Sequence, residues 1–401
     1  MVNPKKIALK HARIAIGMIL ALCVSGYLAS LLIYFMYERK TQQLTKQLAQ
    51  VTTQKKTITS NLSDIKKQLD DLKNQDQYKI NKKLEADIHS IETTYNQAVD
   101  TYEKLLDLKA VSKKTDKYDQ AFADILSLLS KRNYASAGAD LNNLSSQILD
   151  EKNKIASAFV IPANVPVNNT PPSGGYSRQS VHTDIGDFLV DIISADLNST
   201  RVIADTASDG DCRDNCSVMP LASYVSRTGA FAGVNGTYFC PASYPSCAGK
   251  TNTFDTLLMY KDKKYFNSDN NVYSTVPAVI FTGNSARFVG ASQEWGRDTG
   301  VDSVIANRPL LVSGGQSVFG GSDQAKEGAK GARSFVGASG SIAYIGVVYS
   351  ATVGEAAKVL STMGIQNALN LDDGGSTALW YGGYKAGPGR DLPNVVLFVR
   401  K

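Results

Sequence analysis

Two adjacent carboxylates, Asp372 and Asp373, close the apolar run 368–371 and lead straight into Gly374, Gly375, Ser376 and Thr377. A strand that ends this way brings carboxylates, hydroxyls and backbone N–H groups to one place, and glycine lets a ligand approach the main chain. Paired carboxylates suit acid–base or nucleophilic work, or the holding of a divalent cation. Two other polar interruptions share this character. Asn235-Gly236 breaks the apolar run 232–239, and Arg333-Ser334, after Gly331-Ala332, opens an apolar segment around 335–348. Singly, each is a weak signal, since Asn-Gly is most often a turn.

Other chemistries are excluded by inventory. The domain from 181 onward holds one histidine, His182, which leaves no basis for a Ser-His-Asp triad or a His-rich zinc hydrolase site. Gly249-Lys250-Thr251 imitates the end of a phosphate loop, but that motif needs glycine where the chain has Tyr244. Of the five cysteines, Cys23 lies in an apolar stretch and the others form two close pairs, Cys212/Cys216 and Cys240/Cys247. Such pairs predict two disulfides and an oxidising compartment, whereas their spacings fit a zinc site poorly. The net charge of +6 is uneven: residues 1–160 carry 24 Lys and Arg against 17 Asp and Glu, residues 161–401 carry 19 against 20. A nucleic-acid partner is therefore not expected, and any cation used on a phosphate must be an individually placed arginine.

The elements that must position these residues begin near 181. Short alternating or apolar runs at 188–193, 201–204, 278–281, 310–312, 342–349 and 395–399, separated by glycine-rich turns, predict strands. Helical windows fall at 220–228 and 353–363, the second ending at Gly364. The expectation is an α+β domain over 181–401, mixed β-sheets with flanking helices, in which the glycine-rich loop 313–331 is a lid over the pocket.

The N-terminal part has a different texture. Residues 14–37 carry no charge and suffice to span a bilayer, which takes ~20 residues. The stretch is longer than the ~7–15-residue core of a signal peptide. Lys5, Lys6, Lys10 and Arg13 in the tail 1–13 keep the N-terminus cytoplasmic by the positive-inside rule and place the rest outside. Over 38–158 apolar residues recur at threes and fours, first from Leu44 to Leu72 and then, after a slip near 74–79, from Ile80 to Leu105. Two shorter amphipathic segments follow, joined at 131–133. The whole reads as a coiled-coil-like stalk that spaces the domain from the membrane and offers a seam for a homo-oligomer. Residues 159–180, rich in Pro, Asn, Ser and Gly, read as a linker.

The order of the motifs resembles the phosphodiester glycosidases, a family with exopolysaccharide-associated bacterial members. The resembling pieces are Ala-x-x-Asn-Gly-x-x-Phe at 232–239, a Pro-x-Leu-Val-x-x-Gly-like piece at 309–315, Arg333-Ser334 ahead of Gly337, Asn-Leu-Asp-x-Gly-Gly-Ser-Thr at 370–377, and Arg390 ahead of the last strand. The departure is Asp373, where the family usually has glycine. The resemblance implies hydrolysis of a sugar-1-phosphodiester in a surface glycan or sugar-phosphate polymer. Its leaving group is a phosphate, so cations matter more than a strong general acid. Arg333 and Arg390 are then expected as phosphate clamps, with Arg308 a lesser one, because arginine grips phosphate oxygens bidentately. Asp372 is expected as nucleophile or as base for water. Asn235, Thr237, Ser376, Thr377 and the N–H groups of Gly374 and Gly375 are expected on sugar or phosphate oxygens. Asp373 is either a second catalytic carboxylate or, with Asp372, a ligand of a divalent cation. A non-catalytic glycan-binding module of the same fold is the alternative.

Overall fold

The computed structural model describes residues 4–269, 273–321 and 325–401. Contacts divide the chain into two compact units, Met1–His89 and Ser90–Lys401.

The first unit is helical: α1 (Pro4–Asn74) and the start of α2 (Asp76–Val111). The helix breaks after Asn74, where the apolar register slips. Near its N-terminus α1 is long and apolar enough to cross a membrane. Beyond that stretch its seam is exposed, with Leu48 at 67% and Ile58 at 66%. Residues 1–3 of the expected tail lie outside the described residues.

In the second unit the rest of α2 packs with α3 (Asp116–Ser130) and α4 (Tyr134–Ser157). Leu105, Leu108, Tyr118, Ile125, Leu141 and Ile148 form its closed core. Asn133 caps α4 by accepting the Ser136 N–H, which satisfies one of the orphan donors of the first turn. These helices join the α+β domain: Ser350 Oγ donates to the Ala156 carbonyl, and Phe159 stacks on Tyr349 with ring centroids 6.3 Å apart. The compact unit therefore begins well before the expected linker, inside the segment read as a spacer. The linker also contributes to the fold, since Gly175–Thr183 is already a strand.

The domain is built on three antiparallel sheets. The largest runs Gly175–Thr183, Gly186–Asp196, Ile342–Ala351, Gly331–Ser339, Asn367–Asn370, Leu310–Ser313 and Gln316–Ser317. A second has Ala232–Asn235 at its centre, between Leu379–Tyr381 and Asn394–Arg400. A third centres on Ser303–Ala306. Ile193, Val336, Val234, Phe398, Val279 and Ile305, drawn from all three, share one buried core. The outer face of the largest sheet is covered by a helix, Val353–Thr362, in the expected place. Its Thr352–Glu355 capping box and Gly364, at φ +79°, fix its two ends. Both disulfides, Cys212–Cys216 and Cys240–Cys247, are present. Of the expected lid, 322–324 lie outside the described residues. Leu310–Ser313 and Gln316–Ser317, at its start, pair as a hairpin.

Candidate active site

The site forms where strands of two sheets end against each other. Ala232–Asn235 finishes in the second sheet and Asn367–Asn370 in the first; the Asp372 N–H donates to the Gly236 carbonyl at 2.8 Å and ties them together. The Asn-Gly pair is thus a crossing point between sheets and not a hairpin turn. Gly236 is required by space: an added Cβ would overlap Asn394 Oδ1 and lie 2.7 Å from the Asn394 carbonyl oxygen.

Asn235 is fully buried and its amide is spent inside the protein. Its Nδ2 donates to the Asp372 carbonyl at 2.6 Å, and its Oδ1 accepts from Ser334 Oγ and the Ala378 N–H. It holds the Asp372 backbone in place. Thr237, also buried, accepts from Asn394 Nδ2 through its hydroxyl. Both side chains, expected on sugar or phosphate oxygens, are engaged by protein partners. Thr377 points its hydroxyl at the Ala332 carbonyl, 3.4 Å away.

The two carboxylates occupy different environments. Asp372 is 8% exposed, and its proton affinity is pushed up to about 7, first by burial and then by the neighbouring Asp373 charge. Three groups oppose that rise: the Asp373 N–H bonded to Asp372 Oδ1 at 2.8 Å, the Arg390 charge, and the Ser376 hydroxyl. Ser376 Oγ is buried beside the carboxylate but is not well aligned for a hydrogen bond to it. Asp373, by contrast, forms an ion pair with Arg333 and accepts from Tyr238 O–H at 3.3 Å. Arg333 is 4% exposed, and it donates also to the carbonyls of Ala329 and Ala351. The residue that departs from the family pattern therefore takes up the arginine expected to clamp phosphate.

Arg390 is the better placed cation. Its guanidinium lies against Gly375, where an added Cβ would overlap Nη2, and its Cζ is 5.4 Å from the centre of the Tyr244 ring. Gly375 leaves room for this close approach, while Gly374 adopts φ +60°. Arg308 is exposed at the rim. Arg390, Arg308, Lys330, Asp372, Gly374 and Gly375 line one cavity of about 430 Å³. Neither Trp295 nor Trp380 is among the residues lining it. A second cavity, near Arg227 and Lys261, is remote from the carboxylates, and both of its cations pair with the buried Asp205.

A divalent cation fits the donors poorly. Among the described residues no three His, Cys, Asp or Glu side chains converge, and one of the two carboxylates already holds a guanidinium.

Sequence reasoning passed over Tyr238, Asn307 and Tyr244. Tyr238 receives an N–H bond from Asn370 at 2.8 Å, and burial with the nearby carboxylates raises its phenol well above the usual range, so it stays a donor. Asn307 is fully buried; it accepts the Tyr238 N–H and donates to the Asn370 carbonyl. The one available signal was adjacency, for Tyr238 lies inside the Asn-Gly-x-x-Phe piece and Asn307 directly precedes Arg308.

Strand ends, two carboxylates and an arginine thus meet at one cavity in an α+β domain. Residues 228–399 match the model of the phosphodiester glycosidase family. No curated protein matches the chain significantly. Among solved structures, a hypothetical protein from Synechocystis aligns at 13% identity and TM-score 0.39 over 56% of this chain, which spans 62% of that protein. The zebrafish N-acetylglucosamine-1-phosphodiester alpha-N-acetylglucosaminidase catalytic domain, auto-inhibited by its pro-peptide, aligns at 13% identity and TM-score 0.45, over 59% of this chain and 87% of that one. An exported protein from Burkholderia pseudomallei aligns at 12% identity and TM-score 0.35, over 53% and 74%.

Proposed function

We propose that the chain is a membrane-anchored hydrolase that cleaves sugar-1-phosphodiester bonds in cell-surface glycans or exopolysaccharide outside the cytoplasm. The observation that carries this reading is the convergence of a buried Asp372, raised toward neutrality, with Arg390 on Gly375 in one cavity. A carboxylate with this proton affinity is suited to take a proton from water near neutral pH. Water attacks the anomeric carbon, the C1–O bond breaks, and the electron pair leaves with the phosphate monoester. Arg390 and Arg308 offset the charge on that phosphate. Anchoring and export rest on the apolar stretch of α1 and on the two disulfides. Self-association of α1 rests on its exposed seam.

Assay of the full chain on an N-acetylglucosamine-1-phosphodiester and on surface polymer, beside Asp372→Asn, tests this. The expected loss is on the order of 10²–10⁴ in rate, typical for a general base. Wild-type activity should rise with pH through about 7, because the base must be ionised. An alkaline limb alone, or an undiminished Asp372→Asn rate, would remove Asp372 from the mechanism. The ion pair of Arg333 with Asp373 favours a second reading, a glycan-binding module without turnover. Glycan binding with no release of reducing sugar would establish that reading instead.

A further inference from the structure

One wall of the cavity comes from outside the family-matched residues. Helices α2 and α4 bring Asp107, Val111, Lys152 and Ile155 to it. α2 also grips the loop closed by the Cys240–Cys247 disulfide at two points: Glu103 Oε1 accepts the Ser246 N–H at 3.0 Å, and Asp107 Oδ1 accepts the Tyr244 O–H. Glu103 and Tyr244 are 8% and 9% exposed, so these bonds are sheltered from water. The Tyr244 ring is the one that meets the Arg390 guanidinium, and that guanidinium is the one that rests on Gly375. A carboxylate on a helix, a phenol in a disulfide loop and a guanidinium in the pocket thus form one continuous series.

We propose that Asp107 is a positioning residue of the site: it holds Tyr244, and through the ring of Tyr244 it fixes Arg390 against Gly375, which makes the helical segment part of the phosphate-recognising apparatus. The physical ground is preorganisation. A free arginine side chain loses rotamer entropy when ordered, and a guanidinium already held by a ring and a backbone loses less on meeting phosphate. Burial and the Asp107 charge raise the Tyr244 phenol, so the O–H remains a donor across the working pH range. The inference rests on the reading of Arg390 as the phosphate contact.

The test is calorimetric binding of N-acetylglucosamine 1-phosphate to the full chain and its variants. Tyr244→Phe is the primary variant, because it keeps the ring and the net charge and removes only the hydroxyl. Arg390→Ala should weaken binding by more than about tenfold, a charge-assisted contact, and Tyr244→Phe by roughly threefold to tenfold. The double variant Tyr244→Phe/Arg390→Ala should bind no worse than Arg390→Ala alone, within about twofold, since groups acting in series are not additive. Asp107→Asn, which keeps an acceptor for the phenol, should bind more tightly than Asp107→Ala. Tyr244→Phe at wild-type affinity, or losses that multiply in the double variant, would overturn the series. If Arg390→Ala itself binds normally, the reading of Arg390 fails first and the inference falls with it. No binding by the wild-type chain would do the same.

Discussion

The chain contains two helical regions with nearly the same pattern and opposite fates. In α1 the apolar seam from Leu44 to Leu72 stands in the open, whereas in Ser90–Ser157 residues of equal spacing, Leu105, Leu108, Leu141 and Ile148, are fully buried. Periodicity states that a helix has an apolar face; it does not state what covers that face. The second region closes a core among three helices and reaches the domain through Ser350 and Phe159. Among the described residues of its own unit, the first has no covering element.

That contrast is most directly broken by a matched pair of truncations. Leu105→Ala should cost about 2–5 kcal/mol and lower the melting temperature of the unit that carries the cavity. Leu62→Ala, at a 52% exposed position in α1, should change domain stability by less than about 0.5 kcal/mol. Equal shifts in the two variants would show that the regions are not energetically distinct.

The same contrast separates what is legible in sequence from what is not. Strand runs, the capped helix Val353–Thr362, both disulfides and the order of the motif pieces follow from local rules, each set by residues near in the chain. The identities of Asp372, Arg333, Arg390 and the glycines were legible too. Their partners were not. That Arg333 is held by Asp373, and that Asn235 turns inward to the Asp372 carbonyl, depends on where two sheets meet. Asp107 and Tyr244 are further removed still. They lie 137 positions apart, and nothing in either local pattern marks them as a pair.

Outside both helical regions, in the unit that carries the cavity, a response to pH is expected through Asp372. Its folded-state proton affinity is raised from 3.8 to about 7, so the fold is favoured when the group is protonated. Stability is fully present below the unfolded value and is lost as pH rises through about 7. Asp372→Asn should therefore be more stable than wild type at pH 8, by roughly 2–4 kcal/mol, because each tenfold gain in proton affinity on folding corresponds to about 1.4 kcal/mol. Near pH 3 the two should not differ. Chemical denaturation at the two pH values measures this. A variant less stable than wild type at pH 8 would mean that the carboxylate is held by favourable contacts and not strained by burial.

A charge placed on the exposed seam probes the first region. Leu62→Asp should leave domain melting unchanged but weaken self-association of the full chain by about tenfold or more, because an a/d-type position tolerates a lone carboxylate poorly. Light scattering in detergent reads this out. An unchanged mass distribution would mean that the seam is not an interface between copies.

The smallest effect concerns the joint between helices and domain. Ser350 Oγ donates to the Ala156 carbonyl at 2.7 Å, and Ser350 holds φ +54°, a left-handed backbone that favours glycine. Ser350→Ala removes the hydrogen bond and keeps the strained backbone; it should cost about 1 kcal/mol. Ser350→Gly removes the same bond but relieves the backbone, by up to about 1 kcal/mol, and should lie close to wild type. The difference between the two variants isolates the backbone contribution, and the loss in Ser350→Ala isolates the bond to α4. If both variants melt as wild type does, the joint is held by Phe159 on Tyr349 and by α2 on the 240–247 loop.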